Sequence, residues 1–527
     1  CLKYDQNIDN PTTIPPAKAQ VDYQNVDLQG LEVEDVKEFG AEHLCRQTLD
    51  KLELRDYLLS LGLDAEQVTR SLIAISARAI YAASEHKTSQ ILNLNSELPA
   101  CYGYDKPISH KQLYQVSDLL YTHKQRIDSY LYQKITYMFH LKDSLLIFDI
   151  SNTYFETNKS QSKKATWGNS KEKRVDCPIV VFTGVINQEG FIRHSRIYEG
   201  NKPDSATLST MIEDLKAHSP KQVQQTIVID AGIAKDENLA LMDKEGYRYV
   251  CVSHKRLKDY VLDQSTPQVI QLTDRDRQKV ALQIFHPEGY RDTWMYVESD
   301  GKKKKEQSMK DKLCEKYEQD LEQIKSAFSK KGGTKNISKV WERIGRVKER
   351  NNRVTARYKI EVSEKDGIAV DMTWTFIPNK VKDEKSNGVY FIRTNLPDTN
   401  EQQLWDIYNT IREVESTFRS LKSDLNIRPV YHQNDERIDA HLYLTMLAYQ
   451  LVNTIRYMLK QSDINHDWKN IVRIMSTQKI QNIKVPTDKK TIYIRKPSKP
   501  IEQVQQIYKA TNCNETQKTQ RKYVVYH

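Results

Sequence analysis

The chain has 527 residues, 28% of them charged, and a formal net charge of +10 at pH 7. Such a length exceeds one hydrophobic core, so two to four domains or subdomains are expected, and the basic bias leans towards polyanionic partners. No apolar run reaches the roughly 18 residues of a membrane span. No charged-then-apolar leader opens the chain, and the seven cysteines contain no C-x-x-C pair, which argues against a zinc ribbon or a disulfide framework. A cytoplasmic setting with reduced thiols is the expectation, and the start at Cys1 reads as an incomplete frame.

Residues 1–36 are polar and Pro-rich and read as a flexible lead-in. From 37 to 140 the text is helical. SLIAISARAIYAASEH places Leu72, Ile75, Ala79 and Ala83 at three- and four-residue steps, and HKQLYQVSDLLYTHKQRIDSYLYQKITYMF repeats apolar residues likewise. The texture changes at 144. SLLIFDI reads as a buried strand with Asp149 near its end, and PIVVFTGVIN with GFIRHSRIY reads as a hairpin. A helix over 204–217, the strand TIVID ending on Asp230, a helix near 236–245 and the strand YRYVCV follow. That order suits a mixed sheet covered by helices.

Residues 256–395 interrupt it with six strand-like segments: QVIQLT, KVALQIF, TWMYVES, RYKIEVS, AVDMTWTF and GVYFIRTN. Between 301 and 360 stand 19 Lys or Arg against 8 Asp or Glu, a surplus of 11. This segment, which includes the run Lys302 to Lys305, reads either as a solvated helical hairpin with a lysine-rich tip or as a DNA-facing clamp. Helical text returns over 396–480, where AHLYLTMLAYQLVNTIRYML is expected to pack under the helix before it. Residues 481–527 have few apolar anchors and read as a polar, partly ordered tail.

Three acids stand out. Asp149 and Asp230 end apolar strands, and Glu415 lies in YNTIREVESTFRSLK, where Tyr408, Glu415 and Lys422 follow at seven-residue steps on nearly one helical face. Arg412 and Arg419 flank that face. An Asp after a strand is often only a turn former or helix cap, and IVIDAGIAKDENL reads as a strand-to-helix turn needing a small residue at Gly232. Jointly the three acids call for a cation, since converging carboxylates repel unless neutralised. Mg²⁺ suits hard oxygen ligands, Mn²⁺ is its substitute, and two such ions can serve both the attacking and the leaving oxygen of a phosphodiester. Lys422, Arg419 and Arg412 suit phosphate clamping, with solvated helix charge as the bland alternative, and Tyr408 suits either packing or stacking on a nucleotide. Lys171 and Arg174, with Trp167, lie in a polar loop that either approaches DNA or is an exposed connector. His432, Arg437 and His441 follow the signature, but a nine-residue His–His gap is not a usual zinc spacing.

These residues resemble the DDE transposases of bacterial insertion sequences, in the superfamily named after insertion sequence four. Those proteins have a first Asp on an RNase H-like strand, as in LLIFDISNTYFE, and a second after an apolar strand, as in TIVIDAG. Their third acid sits in Tyr-x2-Arg-x3-Glu-x6-Lys, whose spacing Tyr408, Glu415 and Lys422 match, while the arginine position holds Ile411 and Arg412 comes one place late. WGNSKEKRVDCP, YEGNKPDSATL, FIRTN and RPVYHQNDERIDAHLYLTMLAYQL look like blocks of the long-frame branch.

The resemblance implies an α/β protein with an RNase H-like mixed-sheet catalytic domain over 141–255 and 396–480. A basic β-rich insertion at 256–395 interrupts that domain, and an α-helical DNA-binding region precedes it at 37–140. It implies Asp149, Asp230 and Glu415 as catalytic metal ligands, no organic cofactor, and DNA as partner. The further expectations are cut-and-paste transposition from terminal inverted repeats, a homodimer in the synaptic complex, and a bacterial, nucleoid-associated setting. An RNase H-fold nuclease that does not join DNA, and a non-catalytic transposon-derived DNA-binding protein, are the rival readings.

Overall fold

In a computed structural model of the chain, the structure describes residues 23–142, 144–155, 162–168, 176–218, 225–255, 257, 269–274, 276–377, 387–410, 424–425, 432–515 and 521–526. The chain divides into two compact units. Unit one comprises Cys1–Lys124, Ser423–Ile427 and Asp439–His527; unit two comprises Gln125–Lys422 and Arg428–Ile438.

Unit one opens with strand β1 (Glu32–Glu38) and a set of helices. The helix Ala65–Tyr81 starts at a capping box, in which Asp64 accepts from the Gln67 N–H at 2.8 Å and Gln67 accepts from the Asp64 N–H at 3.0 Å. Its Val68, Leu72, Ile75 and Ala79 are buried at the expected three- and four-residue steps. The apolar run does not continue as one helix through Ala83, however. Ala82 turns left-handed at φ 45°, and Ser84 caps a new helix, Glu85–Leu94. A second capping box, Ser109 with Gln112, opens His110–Thr122.

Unit two is built on a nine-stranded sheet. Its strands are β2 (Leu145–Tyr154), β3 (Ile179–Asn187), β4 (Ile192–Glu199), β5 (Thr226–Ile229), β6 (Arg248–Val252), β7 (Ile270–Thr273), β8 (Lys279–Phe285), β9 (Thr293–Ser299) and, after the separate hairpin β10 (Tyr358–Lys365) and β11 (Ile368–Phe376), β12 (Val389–Thr394). They lie in the order β4-β3-β2-β5-β6-β12-β9-β8-β7. The pairs β2–β5 and β5–β6 are parallel and the other pairs antiparallel. The six segments read as strands in 256–395 are thus β7 to β12. Four of them extend the main sheet from β6, which would otherwise present an open row of unpaired backbone groups. Only β10 and β11 stand apart as a two-stranded sheet.

Between β9 and β10 run the helices Asp300–Ser326 and Ile337–Arg350. They share a core with the hairpin, formed by Tyr317, Leu321, Ile324, Val340, Ile344, Tyr358 and Met372. The run Lys302 to Lys305 is at the root of this projection, directly after the helix cap Ser299, and not at its tip. Lys302 lies 4.3 Å from the centre of the Tyr390 ring, and Lys304 donates to Gln278 at 2.7 Å. The tip carries Lys330, Lys331 and Lys335 instead.

From Asp439 the long helix Asp435–Lys460 belongs to unit one and buries Leu442, Tyr443, Leu447, Leu451 and Ile455. The residues expected to form a tail are largely built. Strands β13 (Lys479–Pro486), β14 (Lys490–Pro497) and β15 (Arg521–Tyr526) join β1 in the order β1-β13-β14-β15, with the helix Glu502–Ala510 between β14 and β15. Few apolar residues suffice: Ile480, Ile492, Val504, Ile507 and Tyr508 are buried. The acidic β1 supplies counter-charges, with Lys484 on Glu32 at 2.9 Å and Arg495 on Asp35 at 2.8 Å. Among the described residues no helix is long and apolar enough to cross a membrane.

Candidate active site

Alternation decides where the acids point. On β2, Leu146, Phe148 and Ile150 enter one core with Ile227 and Ile229 of β5 and with the helices Leu208–His218 and Asp236–Lys244. Successive side chains leave a strand on opposite faces, so Asp149 stands on the other side of the sheet. The parallel register pairs Phe148 with Ile229. One residue further along each strand come Asp149, which the alternation carries away from that core, and Asp230, which directly follows β5 and opens a turn. Adjacent strands run about 4.8 Å apart, a spacing at which two carboxylates can share one cation.

Asp149 is half-buried and Asp230 exposed. Asp149 does not end its strand as expected but lies inside β2, which continues to Tyr154, whereas Asp230 follows β5. In each, Oδ1 accepts the following backbone N–H at 2.7 Å, which orients the carboxylate. Opposite Asp149 on β3 stands Gly184, and beyond it Ser195 on β4. Two hard-oxygen donors on adjacent strands, with a like charge that needs neutralising, fit a divalent ion of the Mg²⁺ type. Glu415 lies outside the described residues, as do Arg412, Arg419, Lys422, Lys171 and Arg174.

Residues 140–451 match the family model described as Transposase DDE domain. The chain belongs to the transposase DDE domain family. Membership implies DNA as the partner and phosphodiester chemistry of the kind that divalent metals assist. No curated protein matches the chain.

Within the DDE domain the turn after Asp230 is tightly held. The Asp230 carbonyl accepts from the N–H groups of Ile233 at 3.0 Å and Ala234 at 3.2 Å. The Asn238 amide donates to the carbonyls of Ile233 at 2.8 Å and Ser205 at 3.0 Å. The expected need for a small residue at Gly232 does not hold: a methyl there would meet only Asp204 Oδ2, at 3.6 Å, which is ordinary contact. Asp204 is an acid that sequence reasoning missed; it overhangs this turn, and its only signal was its place in YEGNKPDSATL.

The helix after this turn joins an ion network whose centre, Arg393 with Asp292, is buried and whose outer members, Asp236 and Lys255, are exposed. Arg393 of β12 is 7% exposed and donates from Nε to Asp292 at 2.6 Å and from one Nη to Asp236 at 2.8 Å. Its guanidinium lies 4.8 Å from the Trp294 ring centre, and Lys255 pairs with Asp236 at 2.6 Å. Burial opposes the Arg393 charge, but hydrogen bonds to Asp292 and Asp236 outweigh it and raise the pKa. Arg393 and then Lys255 in turn lower that of Asp236. Asp236 is the first residue of the helix after the Asp230 turn, so this network ties that turn to the extended sheet.

The loop after β2 is anchored where it is described. Asp435 accepts from the Ser162 hydroxyl and, at 3.2 Å, from the Lys164 N–H. Gly168 and Gly200 pass so closely that a methyl on Gly168 would lie 2.1 Å from the Gly200 carbonyl oxygen, so only glycine fits. Trp167 is 57% exposed beside them. Tyr408 is half-buried, with ring centres of Trp405 at 5.8 Å and Tyr390 at 5.9 Å. His441 is buried in unit one with Nδ1 2.6 Å from a Glu85 carboxylate oxygen, and half-buried His432 and Arg437 are in unit two.

Proposed function

We propose that the chain is the transposase of a bacterial insertion sequence, in the superfamily of insertion sequence four and its long-frame branch. It cleaves DNA at terminal inverted repeats and joins the freed 3′ ends to target DNA. The observation that carries this reading is that Asp149 and Asp230 each follow by one residue a member of the parallel pair Phe148–Ile229 on adjacent strands. The order β4-β3-β2-β5-β6, antiparallel on one side of β2 and parallel on the other, supports an RNase H-like assignment of the 141–255 segment.

In this reading Asp149, Asp230 and Glu415 hold two Mg²⁺ ions, which would activate the attacking oxygen and stabilise the leaving one. Asp149 and Asp230 keep their carboxylates oriented through the backbone N–H groups they accept. Gly184, paired with Asp149, adds no side chain of its own beside that acid. Arg412, Arg419 and Lys422 hold neighbouring phosphates, Lys171 and Arg174 contact DNA from the loop after β2, and Tyr408 contacts it from the signature segment. Positioning and charge compensation carry the rate. The helices of 37–140 read the inverted repeats, a homodimer forms the synaptic complex, and the protein acts on the bacterial nucleoid in the cytoplasm.

Strand transfer with pre-cut ends tests this. The full chain, given Mg²⁺ and a duplex ending in a free 3′-hydroxyl, should join that end to a supercoiled target. Cleavage without joining would make it a nuclease, and binding with neither activity would make it a DNA-binding derivative.

A further inference from the structure

The surplus charge of the insertion is unevenly placed along the projection between β9 and β10. Residues 301–326 hold eight Lys against six Asp or Glu, whereas 327–360 hold eleven Lys or Arg against two Glu. The first helix is therefore nearly balanced, and its basic root is used for attachment: Lys302 rests on Tyr390, Lys304 on Gln278, and Lys310 donates to Asn387 at 2.5 Å. Two of its acids point into the lobe, Glu318 accepting from Tyr358 at 2.6 Å and Asp320 from Asn351 at 2.9 Å, while Asp311, Glu315 and Glu322 are exposed among its lysines.

The second helix differs. Lys339, Arg343, Arg346 and Arg350 follow at steps of four, three and four. At about 100° per residue they fall within an arc of roughly 60°. Val340 and Ile344 lie outside that arc and are fully buried in the lobe core. Lys339, Arg346 and Arg350 are exposed, and Arg343 is half-buried. Within the helix the acids are Glu342, which pairs with Arg346, and Glu349. Four like charges on one face repel each other, and a merely solvated helix would intersperse acids there, as the first helix does.

We propose that this stripe, continued by Lys330, Lys331 and Lys335 at the tip, docks on the phosphate backbone of duplex DNA. The occupant follows from charge complementarity. The stripe is about 16 Å long at 1.5 Å per residue, and each DNA strand offers one phosphate per roughly 3.4 Å of axis. Arginine forks suit phosphate oxygens, and such contacts hold DNA without reading its sequence. The lobe has its own core, so the stripe is presented on a rigid support. The proposal rests on the reading of the chain as a DNA-processing enzyme, and it names the surface that holds DNA away from the acids.

The test compares two triple variants of the full chain, each losing three charges. One is Arg343→Gln, Arg346→Gln, Arg350→Gln; the other is Lys303→Gln, Lys304→Gln, Lys305→Gln. Affinity for a duplex unrelated to any inverted repeat is measured across a salt series, with circular dichroism and thermal melting confirming the fold. The arginine triple should weaken binding and flatten the log affinity against log salt slope by about 0.9 per lost contact, or about 2.7 in all. The lysine triple should change the slope by less than one contact. An Arg→Lys triple at 343, 346 and 350 should restore most of the affinity. Equal losses in the two Gln triples, no loss in the arginine triple, or a loss confined to single-stranded DNA would each overturn the proposal. Asp149→Asn separates the two readings: bound but uncleaved DNA concerns the catalytic acids alone and leaves the stripe as the holding surface.

Discussion

Asp149, inside β2, and Asp230, directly after β5, each follow by one residue a member of the parallel pair Phe148–Ile229, whose side chains fill the core below. The strand period and the register produce this. Burying Phe148 on one side obliges Asp149, the next residue of its strand, to face the other, and the parallel register places Asp230 one residue beyond Ile229. A slip of one residue in β2 would drive Asp149 into the core and Phe148 out of it. The hydrophobic effect therefore holds the acids in place without any bond between them.

Lys422 follows Glu415 by seven residues and is assigned to phosphate clamping. Lys422→Ala should depress cleavage and joining of a pre-bound, end-containing duplex far more than it depresses metal binding, because the carboxylates remain. Lys422→Arg should rescue only in part, since the guanidinium is bulkier and its charge more spread. Wild-type rates in Lys422→Ala would make the lysine an ordinary surface charge.

Arg393 answers two carboxylates at once, and Asp292 is as buried as the arginine itself. Arg393→Met should cost roughly 3–5 kcal/mol of stability, because Asp292 is left buried without its counter-charge. Arg393→Lys should recover part of this, since an ammonium cannot span both acids with a fixed fork. Denaturant unfolding of the variants measures it. A loss below about 1 kcal/mol in Arg393→Met, within the range of an exposed pair, would contradict the network.

Glu42 in unit one is fully buried and accepts from the Ser96 hydroxyl at 2.5 Å, the Glu97 N–H at 2.9 Å and the Tyr81 hydroxyl. Burial pushes its carboxyl up from 4.5 to about 8, against those hydrogen bonds. The native state thus keeps a proton that the unfolded chain releases near 4.5. This contribution is fully present below the unfolded pKa and is lost as pH rises through the window up to about 8. The slope there approaches about 1.4 kcal/mol per pH unit at most. Glu42→Gln should remove that part of the pH dependence in unfolding experiments, and identical slopes in variant and wild type would contradict it.

Much of this was legible in the sequence because it depends on local periodicity. The apolar runs ending at Asp149 and Asp230, and all six strands of 256–395, announce themselves by alternation or continuous burial. What was not legible depends on distant partners. Residues 481–527 read as a partly ordered polar tail because the pairing strand, β1, lies more than 400 residues earlier and brings the acids that neutralise Lys484 and Arg495. Which lysines of 301–360 lie where along the helix pair is not legible from composition, since the helix start is set by Ser299 capping it at the end of β9. The basic stripe of the second helix was hidden because its residues are spaced by three and four. Asp204 was invisible as a neighbour of Gly232, since only the packing of two loops brings it there.

The most direct measurement is cleavage and joining of end-containing DNA in Mg²⁺ by the full chain and by Asp149→Asn, Asp230→Asn and Glu415→Gln. Each substitution keeps the side-chain shape and removes a charge that a divalent ion requires. The account predicts that all three variants bind the DNA much as the wild type does, and that each loses cleavage and joining. Substantial Mg²⁺-dependent cleavage in Asp149→Asn or Asp230→Asn would contradict it, since the pair next to Phe148 and Ile229 would then not be the reaction's metal site.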